Sequence, residues 1–361
     1  MKDDRPEENF IKALKILAPG TALRDGLENV LRAKTGALIV IGDGPEVEEI
    51  TEGGFFIDCE YTPNNLYELA KMDGAIILSR NAHRILKANT QLVPLSTITS
   101  HETGIRHRTA ERVARQTGEL VISISQRRGV ITLYKGQVKY SLRDIGVILT
   151  KANQAIQTLE KYKTVLDKAL ANLTILEFED VVSVFDVVKV VQRLEMVQRI
   201  VKEIEIYISE LGNEGRLVSM QMEELVSNVH DEGTMLIKDY YVPHGEVTVE
   251  SIKQNMAQWT SEELLDMTII SRALGYGGTL SSLDLPVTPK GYRILQKIPR
   301  LPGTVIENLV TTFSIFPKVL QATIEELDEV EGIGEVRARA IRDGLKRLRE
   351  QVMLDRHISS H

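Results

Sequence analysis

The chain is poor in cysteine, and this lack excludes two kinds of stabilised framework. Cys59 is the only cysteine among 361 residues, so neither an internal disulfide nor a cysteine-based zinc cluster can form. Apolar runs long enough to span a bilayer are also missing, and the polar, acidic start Met1–Glu8 is unlike a secretory signal. We therefore expect a cytoplasmic protein without a membrane segment and, from its length, two or three domains.

Two common phosphate-binding motifs are missing as well. The sequence contains no Gly-x-x-x-x-Gly-Lys-[Ser/Thr], which excludes a P-loop enzyme. It contains no Gly-x-Gly-x-x-Gly after a strand, which disfavours a dinucleotide-binding fold. Any nucleotide site in this chain must therefore be built from other residues.

Charge is unevenly distributed along the sequence. Residues 151–290 carry 22 acidic against 13 basic side chains, a net charge of −9, whereas residues 1–150 and 291–361 each carry a net charge of +1. A contact with nucleic acid, if there is one, therefore belongs at an end of the chain.

The N-terminal part alternates apolar strands with helices. We predict a helix from Asn64 to Lys71, capped by Asn64 or Asn65, and another from Thr109 to Gln116, stopped by Gly118. Short apolar runs predict buried strands at 36–42, 72–79, 120–125 and 130–134. This alternation predicts an α/β domain with a mixed sheet.

Within this part, the stretch Arg106-His107-Arg108-Thr109 lies where a loop enters a helix. The free N–H groups at a helix start attract phosphate, and forked guanidinium groups bind it in a bidentate way. A solvated basic turn is the simpler alternative for so short a motif. His107 has three open roles, since it can contact phosphate, contact a metal or only shape the loop.

Asp73 lies at the mouth of a predicted strand, and Ser123 and Ser125 lie at the end of another. A carboxylate beside a phosphate site holds Mg²⁺ or Mn²⁺, or accepts a proton from an attacking hydroxyl. A plain turn is the alternative for Asp73-Gly74 alone. The hypothesis therefore depends on both motifs lying in one domain.

The rest of the chain is predicted to be helical. Apolar residues recur at threes and fours from Leu142 onward, and no catalytic constellation is apparent in this middle part. Near the end, Thr323 and Glu326 fit a capping box, followed by the turn Gly332-Ile333-Gly334 and a helix to about Arg349. Such a turn lets backbone N–H groups meet a DNA phosphate, although a hairpin for protein contacts is the alternative. Ile298–Gly303 is a candidate for a degenerate first hairpin.

Asp73-Gly74-Ala75 together with Arg106-His107-Arg108 resembles the paired motif of diadenylate cyclases. The whole chain resembles those members of the family in which a helical spine and a helix-hairpin-helix domain follow the cyclase domain. It implies a cyclase domain at residues 1–143, a spine at 144–288 and a DNA-binding domain at 289–361. It also implies that two ATP molecules condense to cyclic di-AMP and two pyrophosphates.

Further expectations follow from the same resemblance. Asp73 would lie by the ribose 3′-hydroxyl and the Mg²⁺ or Mn²⁺ ion, and Gly74 and Leu92 would offer backbone groups to the nucleotide. The phosphates would be lined by Ile105, Arg106, His107, Arg108, Thr109 and Ser125, with Asp73 and the Arg-His-Arg motif catalytic. The DNA contacts would come from Gly332, Gly334, Arg337 and Arg339.

The resemblance implies a homo-octamer with paired cyclase domains, activity governed by branched DNA, and a cytoplasmic, nucleoid-associated location. The strongest rival is a DNA-binding repair or checkpoint scaffold whose N-terminal domain only senses ATP. A structural oligomer with an inactive nucleotide site is the third hypothesis, and the intact Asp73 and Arg-His-Arg motifs argue against it.

Overall fold

A computed structural model describes residues 6–243 and 247–359. The first five residues of the polar start, Met1–Glu8, lie outside the described part. The described chain forms two compact units. The first contains the residues up to Gln154 together with Ile204–Met220, and the second contains Ala155–Glu203 and the residues from Gln221 onward.

The first unit is built on one mixed sheet. Its strands are β1 (Ala37–Ile41), β2 (Thr51–Glu52), β3 (Phe55–Glu60), β4 (Ala75–Leu78), β5 (Arg84–Leu92), β6 (Leu120–Ser125), β7 (Val130–Lys135) and β8 (Val138–Ser141). Their order is β2-β5-β4-β1-β6-β7-β8, and β3 also pairs with β5. β1 runs parallel to β4, and every other described pair is antiparallel. The predicted α/β fold with a mixed sheet is confirmed.

Helices cover both faces of the central strands. The helices of this part are α1 (Pro6–Ile16), α2 (Ala22–Arg32), α3 (Pro45–Glu48), α4 (Pro63–Leu69) and α5 (Ile105–Thr117). Successive residues of a strand point to opposite faces. Ile39 and Ile41 accordingly join one apolar cluster with α1, α2 and α4, while Leu38 and Val40 join another with α5. Both faces of β1 are therefore buried, which explains its unbroken apolar sequence.

The structure corrects several local predictions. α4 begins at Pro63, and the Thr62 hydroxyl, not Asn64 or Asn65, accepts the cap hydrogen bond from the N–H of Asn65. α5 begins at Ile105 instead of Thr109, so the basic motif forms its first turn, and Gly118 ends it in the left-handed conformation, as expected. The strands β2, β3 and β5 were not predicted, because polar residues interrupt their apolar pattern.

The remaining chain is helical, as predicted. Its helices are α6 (Ile145–Glu179), α7 (Val184–Leu211), α8 (Arg216–Val226), α9 (Val229–Tyr240), α10 (Val249–Met256), α11 (Ser261–Leu265), α12 (Met267–Ala273), α13 (Leu280–Leu283), α14 (Tyr292–Gln296), α15 (Gly303–Phe313), α16 (Phe316–Gln321), α17 (Ile324–Asp328) and α18 (Glu335–Ser359). A 3₁₀ turn, Gly212–Gly215, separates α7 from α8. α18 extends past the predicted end at Arg349, because no proline or glycine interrupts the residues that follow.

A buried group of charged residues joins three of these helices. The Arg293 guanidinium on α14 pairs with the Glu177 carboxylate on α6 and donates to Thr174 Oγ1 at 2.9 Å. On α9, the Asp239 carboxylate accepts the backbone N–H groups of Gly291, Tyr292 and Arg293 at 2.6–3.0 Å. These contacts satisfy the start of α14, which has no side-chain cap of its own.

Burial changes the titration of this group. It raises the pKa of Asp239 to about 7, and the nearby Glu177 charge adds to the increase. The bonds from the α14 backbone and the charge of Arg293 act in the opposite direction.

Candidate nucleotide and DNA sites

The start of α5 is open to a ligand. Its N-cap residue is Gly104, which has no side chain to cap the helix, and the first helical residue, Ile105, is 85% exposed. The free N–H groups of this first turn therefore donate no hydrogen bond to a cap side chain. A helix start of this kind is suited to phosphate.

An open pocket of about 800 Å³ lies beside this helix start. It is lined by Glu102, Thr103, Gly104, Ile105, Arg106, His107, Ile124, Ser125, Gln126, Arg127 and Arg128. The lining brings together four of the predicted phosphate residues and adds seven others. Three of the seven are charged, namely Glu102, Arg127 and Arg128, and the sequence predicts only a turn for the arginine pair.

The Arg106 guanidinium lies in space that is free because residue 36 is a glycine. A Cβ atom at Gly36 would lie 2.3 Å from Arg106 Nη1 and 3.2 Å from the Ile124 carbonyl oxygen. The Arg106 side chain is exposed and, in the described part of the chain, takes part in no ion pair. Its charge is thus available to the pocket, and a side chain at position 36 would displace the guanidinium from its present place.

His107 is held from two sides. Its Nδ1 atom lies 3.2 Å from Ser123 Oγ, and its ring meets the Tyr134 ring edge to face, with centroids 6.4 Å apart. Burial lowers the pKa of His107, more than the nearby Glu102 charge raises it, which favours the neutral ring. These contacts leave Nε2 as the ring nitrogen that can meet a ligand. All three roles of His107 stay predictions.

Asp73 and Gly74 do not line the pocket; neither do Leu92, Arg108 and Thr109. Gly74 has a φ of +91°, and a Cβ atom there would lie 2.8–2.9 Å from the backbone of Asn89 and Thr90. Only glycine fits that position, on grounds of both conformation and space. The Asp73 carboxylate, one residue earlier, is exposed.

Strand register nevertheless brings the predicted residues to one edge of the sheet. Leu38 on β1 pairs with Ala75 on β4, and Ala37 pairs with Ile124 on β6. The beginnings of β1 and β4 and the end of β6 therefore share an edge, which carries Asp73, Gly36 with the Arg106 guanidinium, and Ser125. Because Ala75 also pairs with Thr90, the end of β5 at Leu92 lies there too. Asp73 and Ser125 are about two strand spacings apart, roughly 10 Å.

The C-terminal hairpin has the geometry that its sequence predicted. Thr323 and Glu326 form the capping box of α17, and Gly332 turns the chain with a φ of +84°. Gly334 immediately precedes α18, and its carbonyl oxygen accepts from the N–H groups of Arg337 and Ala338 at 2.8 and 2.9 Å. The two candidate arginines are already engaged locally. Arg337 donates to the Gly332 carbonyl oxygen, and Arg339 pairs with Glu335 at 2.5 Å.

A second hairpin repeats this geometry at Ile298–Gly303. Leu301 donates to the Ile298 carbonyl oxygen at 3.4 Å, as Ile333 does to Val330 at 3.0 Å. Arg300, with a φ of +61°, occupies the place of Gly332, and Pro302 that of Gly334. Proline has no N–H group, so this first hairpin offers fewer donors than the second.

Comparisons with known proteins agree with this arrangement. Family models match residues 24–138 as the DisA bacterial checkpoint controller nucleotide-binding region, 142–283 as the DisA bacterial checkpoint controller linker region, and 316–344 as a helix-hairpin-helix motif. The DNA integrity scanning protein DisA of Carboxydothermus hydrogenoformans is 63% identical over 97% of this chain and 99% of its own. The chain belongs to the DisA family.

Other DisA proteins are nearly as similar. Those of Symbiobacterium thermophilum and Clostridium kluyveri are 61% and 56% identical, each over 97% of this chain and 98% of its own. The nucleotide-binding match covers β1 to β7 and α5, and the helix-hairpin-helix match covers Gly332 and Gly334.

The described residues lack two other kinds of feature, a membrane-spanning helix and a cluster of metal ligands. Among residues 6–243 and 247–359, no helix combines the length and apolar character of a membrane span. Within the same ranges, no three His, Cys, Asp or Glu side chains are grouped as metal ligands.

Proposed function

We propose that this DisA protein is a diadenylate cyclase that condenses two ATP molecules into cyclic di-AMP and two pyrophosphates. One observation carries the proposal: the open start of α5 shares a sheet edge with the exposed Asp73, and Arg106 beside it has no ion-pair partner among the described residues. A cationic phosphate site and a carboxylate about 10 Å away are suited to the two ends of a nucleotide's ribose–triphosphate part.

The phosphate end of the site is cationic. Arg106, Arg127 and Arg128 surround the pocket together with the α5 amides, and they neutralise the charge that builds up on the departing pyrophosphate. Positioning and electrostatics supply most of the rate in phosphoryl-type transfer. Ser125 adds a hydroxyl at the end of β6.

The ribose end depends on Asp73. Each ribose 3′-oxygen attacks the α-phosphorus of the other ATP, the bond from that phosphorus to the bridging oxygen breaks, and pyrophosphate leaves. Asp73 accepts the 3′-hydroxyl proton directly or through water. A Mg²⁺ or Mn²⁺ ion fits a single exposed carboxylate completed by substrate phosphates, and when bound it would neutralise phosphate charge.

Catalysis on this proposal needs two chains. One site presents one ATP, yet the product joins two adenylates through two equivalent bonds. A two-fold pair of identical sites brings each 3′-hydroxyl to the other α-phosphate. We extend this to a homo-octamer of paired cyclase domains.

The C-terminal hairpins add a DNA-binding function that governs the activity. Gly332 and Gly334 are exposed, and their turn offers a helix start to a phosphate without reading bases. We expect branched DNA to bind there and to change product formation, which suits a cytoplasmic protein associated with the nucleoid.

Incubation with ATP and either metal, followed by mass analysis, tests the proposal. Cyclic di-AMP is the expected product, and adding branched DNA should change its rate of formation. ATP binding without any product would instead favour a scaffold that only senses ATP. A single-chain form, verified by light scattering, that keeps full specific activity would contradict the paired sites.

A further inference from the structure

The loop that leads into α5 is attached mainly to α5 itself. Residues 93–104 contain neither helix nor strand. Arg112 and Arg115 of α5 donate to the carbonyl oxygens of Ile98 and Thr99 at 2.8 and 2.9 Å, and Ser100 donates to Glu111 of α5 at 2.5 Å. These bonds move with the helix, so they cannot fix its first turn on the sheet.

Glu102 makes the connection to the sheet. Its Oε1 atom accepts from the Tyr134 hydroxyl on β7 at 3.0 Å and forms an ion pair with Lys139 on β8. Its backbone N–H donates to Ser100 Oγ at 3.2 Å, and its carbonyl oxygen accepts from Arg108 Nε at 3.3 Å. Every polar group of this residue is therefore used to hold the chain two residues before the helix cap.

A carboxylate in this place is unexpected, because Glu102 also lines the pocket assigned to a polyanion. Burial alone would raise the pKa of Glu102, but the bonds from Lys139 and Tyr134 outweigh it and lower that pKa. Glu102 therefore stays ionised, with its charge balanced by Lys139. The contacts of its Oε1 atom with Tyr134 and Lys139 are those of a group that holds the loop on the sheet.

The same contacts extend to the histidine. Tyr134 is 1% exposed, and its ring meets His107 edge to face while its hydroxyl is held by Glu102. Lys139, Glu102, Tyr134, His107 and Ser123 thus form one connected row from β8 to β6. Displacing Glu102 would release the loop and the ring together.

We propose that Glu102 is a positioning residue of the nucleotide site: with Tyr134 and Lys139 it fixes the first turn of α5 so that its phosphate-binding groups face the pocket. The inference rests on the proposed function. It predicts that Glu102 affects the binding of the triphosphate and does not affect the binding of the adenosine part of the ligand.

Binding of ATP and binding of adenosine are measured with a chelator present, which prevents turnover. Comparing the two ligands distinguishes an effect on the triphosphate from an effect on the adenosine part. Glu102→Ala should weaken ATP binding at least tenfold and change adenosine binding less than twofold. Glu102→Gln keeps an acceptor for Tyr134 and should recover most of the loss. Tyr134→Phe, which keeps the ring on His107, should weaken ATP binding three- to tenfold.

Tyr140→Phe is the matched control. The Tyr140 hydroxyl also donates to a carboxylate, that of Glu210, but outside the pocket. We expect less than a twofold change for either ligand. Equal losses for ATP and adenosine in Glu102→Ala, or none for ATP in Tyr134→Phe, would overturn the positioning role; the second variant decides if the first does not fold.

ATP binding and product formation by the unsubstituted protein distinguish a failure of this inference from a failure of the proposed function. If it binds ATP but forms no cyclic di-AMP, the cyclase proposal fails while the binding comparison still decides the role of Glu102. If it does not bind ATP, both fail.

Discussion

At the sheet edge of the first unit, Arg106 and Asp73 are exposed, whereas Arg293 and Asp239 in the second unit are almost fully buried. Arg106 has no ion-pair partner among the described residues, while Arg293 pairs with Glu177 and Asp239 holds three backbone amides. The same residue types therefore have different roles in the two units. Charge left unpaired in a pocket is available to a ligand, and charge paired in the interior fixes helices.

The largest effect should come from Asp73→Asn. The substitution keeps the shape and removes the charge that a proton or metal needs, so product formation should fall at least about a hundredfold. The melting temperature should stay within about 1 °C, since surface changes of this kind alter stability little. Quantifying cyclic di-AMP beside a melting curve checks both parts, and near-normal turnover would remove Asp73 from the mechanism.

Arg293→Ala should have the reverse profile. Removing one partner of a buried ion pair leaves Glu177 uncompensated and costs about 3–5 kcal/mol of unfolding free energy. Chemical denaturation followed by circular dichroism measures this loss. Arg337→Ala, on the exposed face of α18, provides the control, with a change under about 0.5 kcal/mol. A loss below about 1 kcal/mol for Arg293→Ala would contradict the structural role.

Arg106→Ala should affect binding and leave stability unchanged. Hydrogen bonds to charged groups contribute about 1.5–3 kcal/mol, so ATP affinity should fall roughly ten- to a hundredfold. Gly36→Ala should reproduce part of this loss by displacing the Arg106 guanidinium, because the added Cβ would overlap it. Calorimetric titration with ATP measures both. Parental affinity in Arg106→Ala would make the basic turn structural, and Arg108→Ala tests whether the other arginine contributes.

The buried carboxylate predicts a pH dependence of stability. The pKa of Asp239 is raised to about 7 by burial, above an unfolded value of about 3.9. Between about pH 4 and pH 7 the folded state therefore binds more protons than the unfolded state. This group's contribution to the unfolding free energy falls as the pH rises through that window and is constant above it. In Asp239→Asn this part of the slope of unfolding free energy against pH should disappear when denaturation is measured at several pH values. An unchanged slope would show that other groups cause it.

The smallest effects are expected at the C-terminal hairpin. Arg337 and Arg339 are engaged with Gly332 and Glu335, so replacing both should lower the slope of DNA affinity against salt by no more than about 2. Gly334→Leu, which obstructs backbone approach to phosphate, should weaken binding more than either arginine change. Fluorescence anisotropy at several salt concentrations measures both. Undiminished affinity in a truncation ending near residue 290 would move the DNA site elsewhere.

Local signals in the sequence predicted β6 at 120–125, the end of α5 at Gly118 and the Thr323 capping box, since each depends on near neighbours. The beginning of α5 was placed four residues too late, because Gly104 gives no side-chain cap as a signal. β3 and β5 were missed, since half-buried strands at the side of a sheet mix polar and apolar residues.

The candidate site was only partly predictable for a similar reason. Asp73 and the Arg-His-Arg motif are readable as motifs, and strand register brings them to one edge of the sheet. The roles of Gly36 and Glu102 depend on contacts with residues 70 and 32 positions away, Arg106 and Tyr134. Spacing along a single sequence contains no signal for such pairs.

The first unit closes only when a distant segment returns to it. Tyr140 donates to the Glu210 carboxylate, which also accepts the backbone N–H of Arg143 at 3.3 Å, and Ile206 packs on the apolar cluster beneath α1. A ribosome adding 5–20 residues per second needs roughly 4–15 s to proceed from residue 143 to residue 220. During that interval all strands of the sheet have been synthesised, but Glu210 and Ile206 have not yet packed against them. A nascent chain would therefore contain the residues of its nucleotide pocket before it contained the segment that contacts β8.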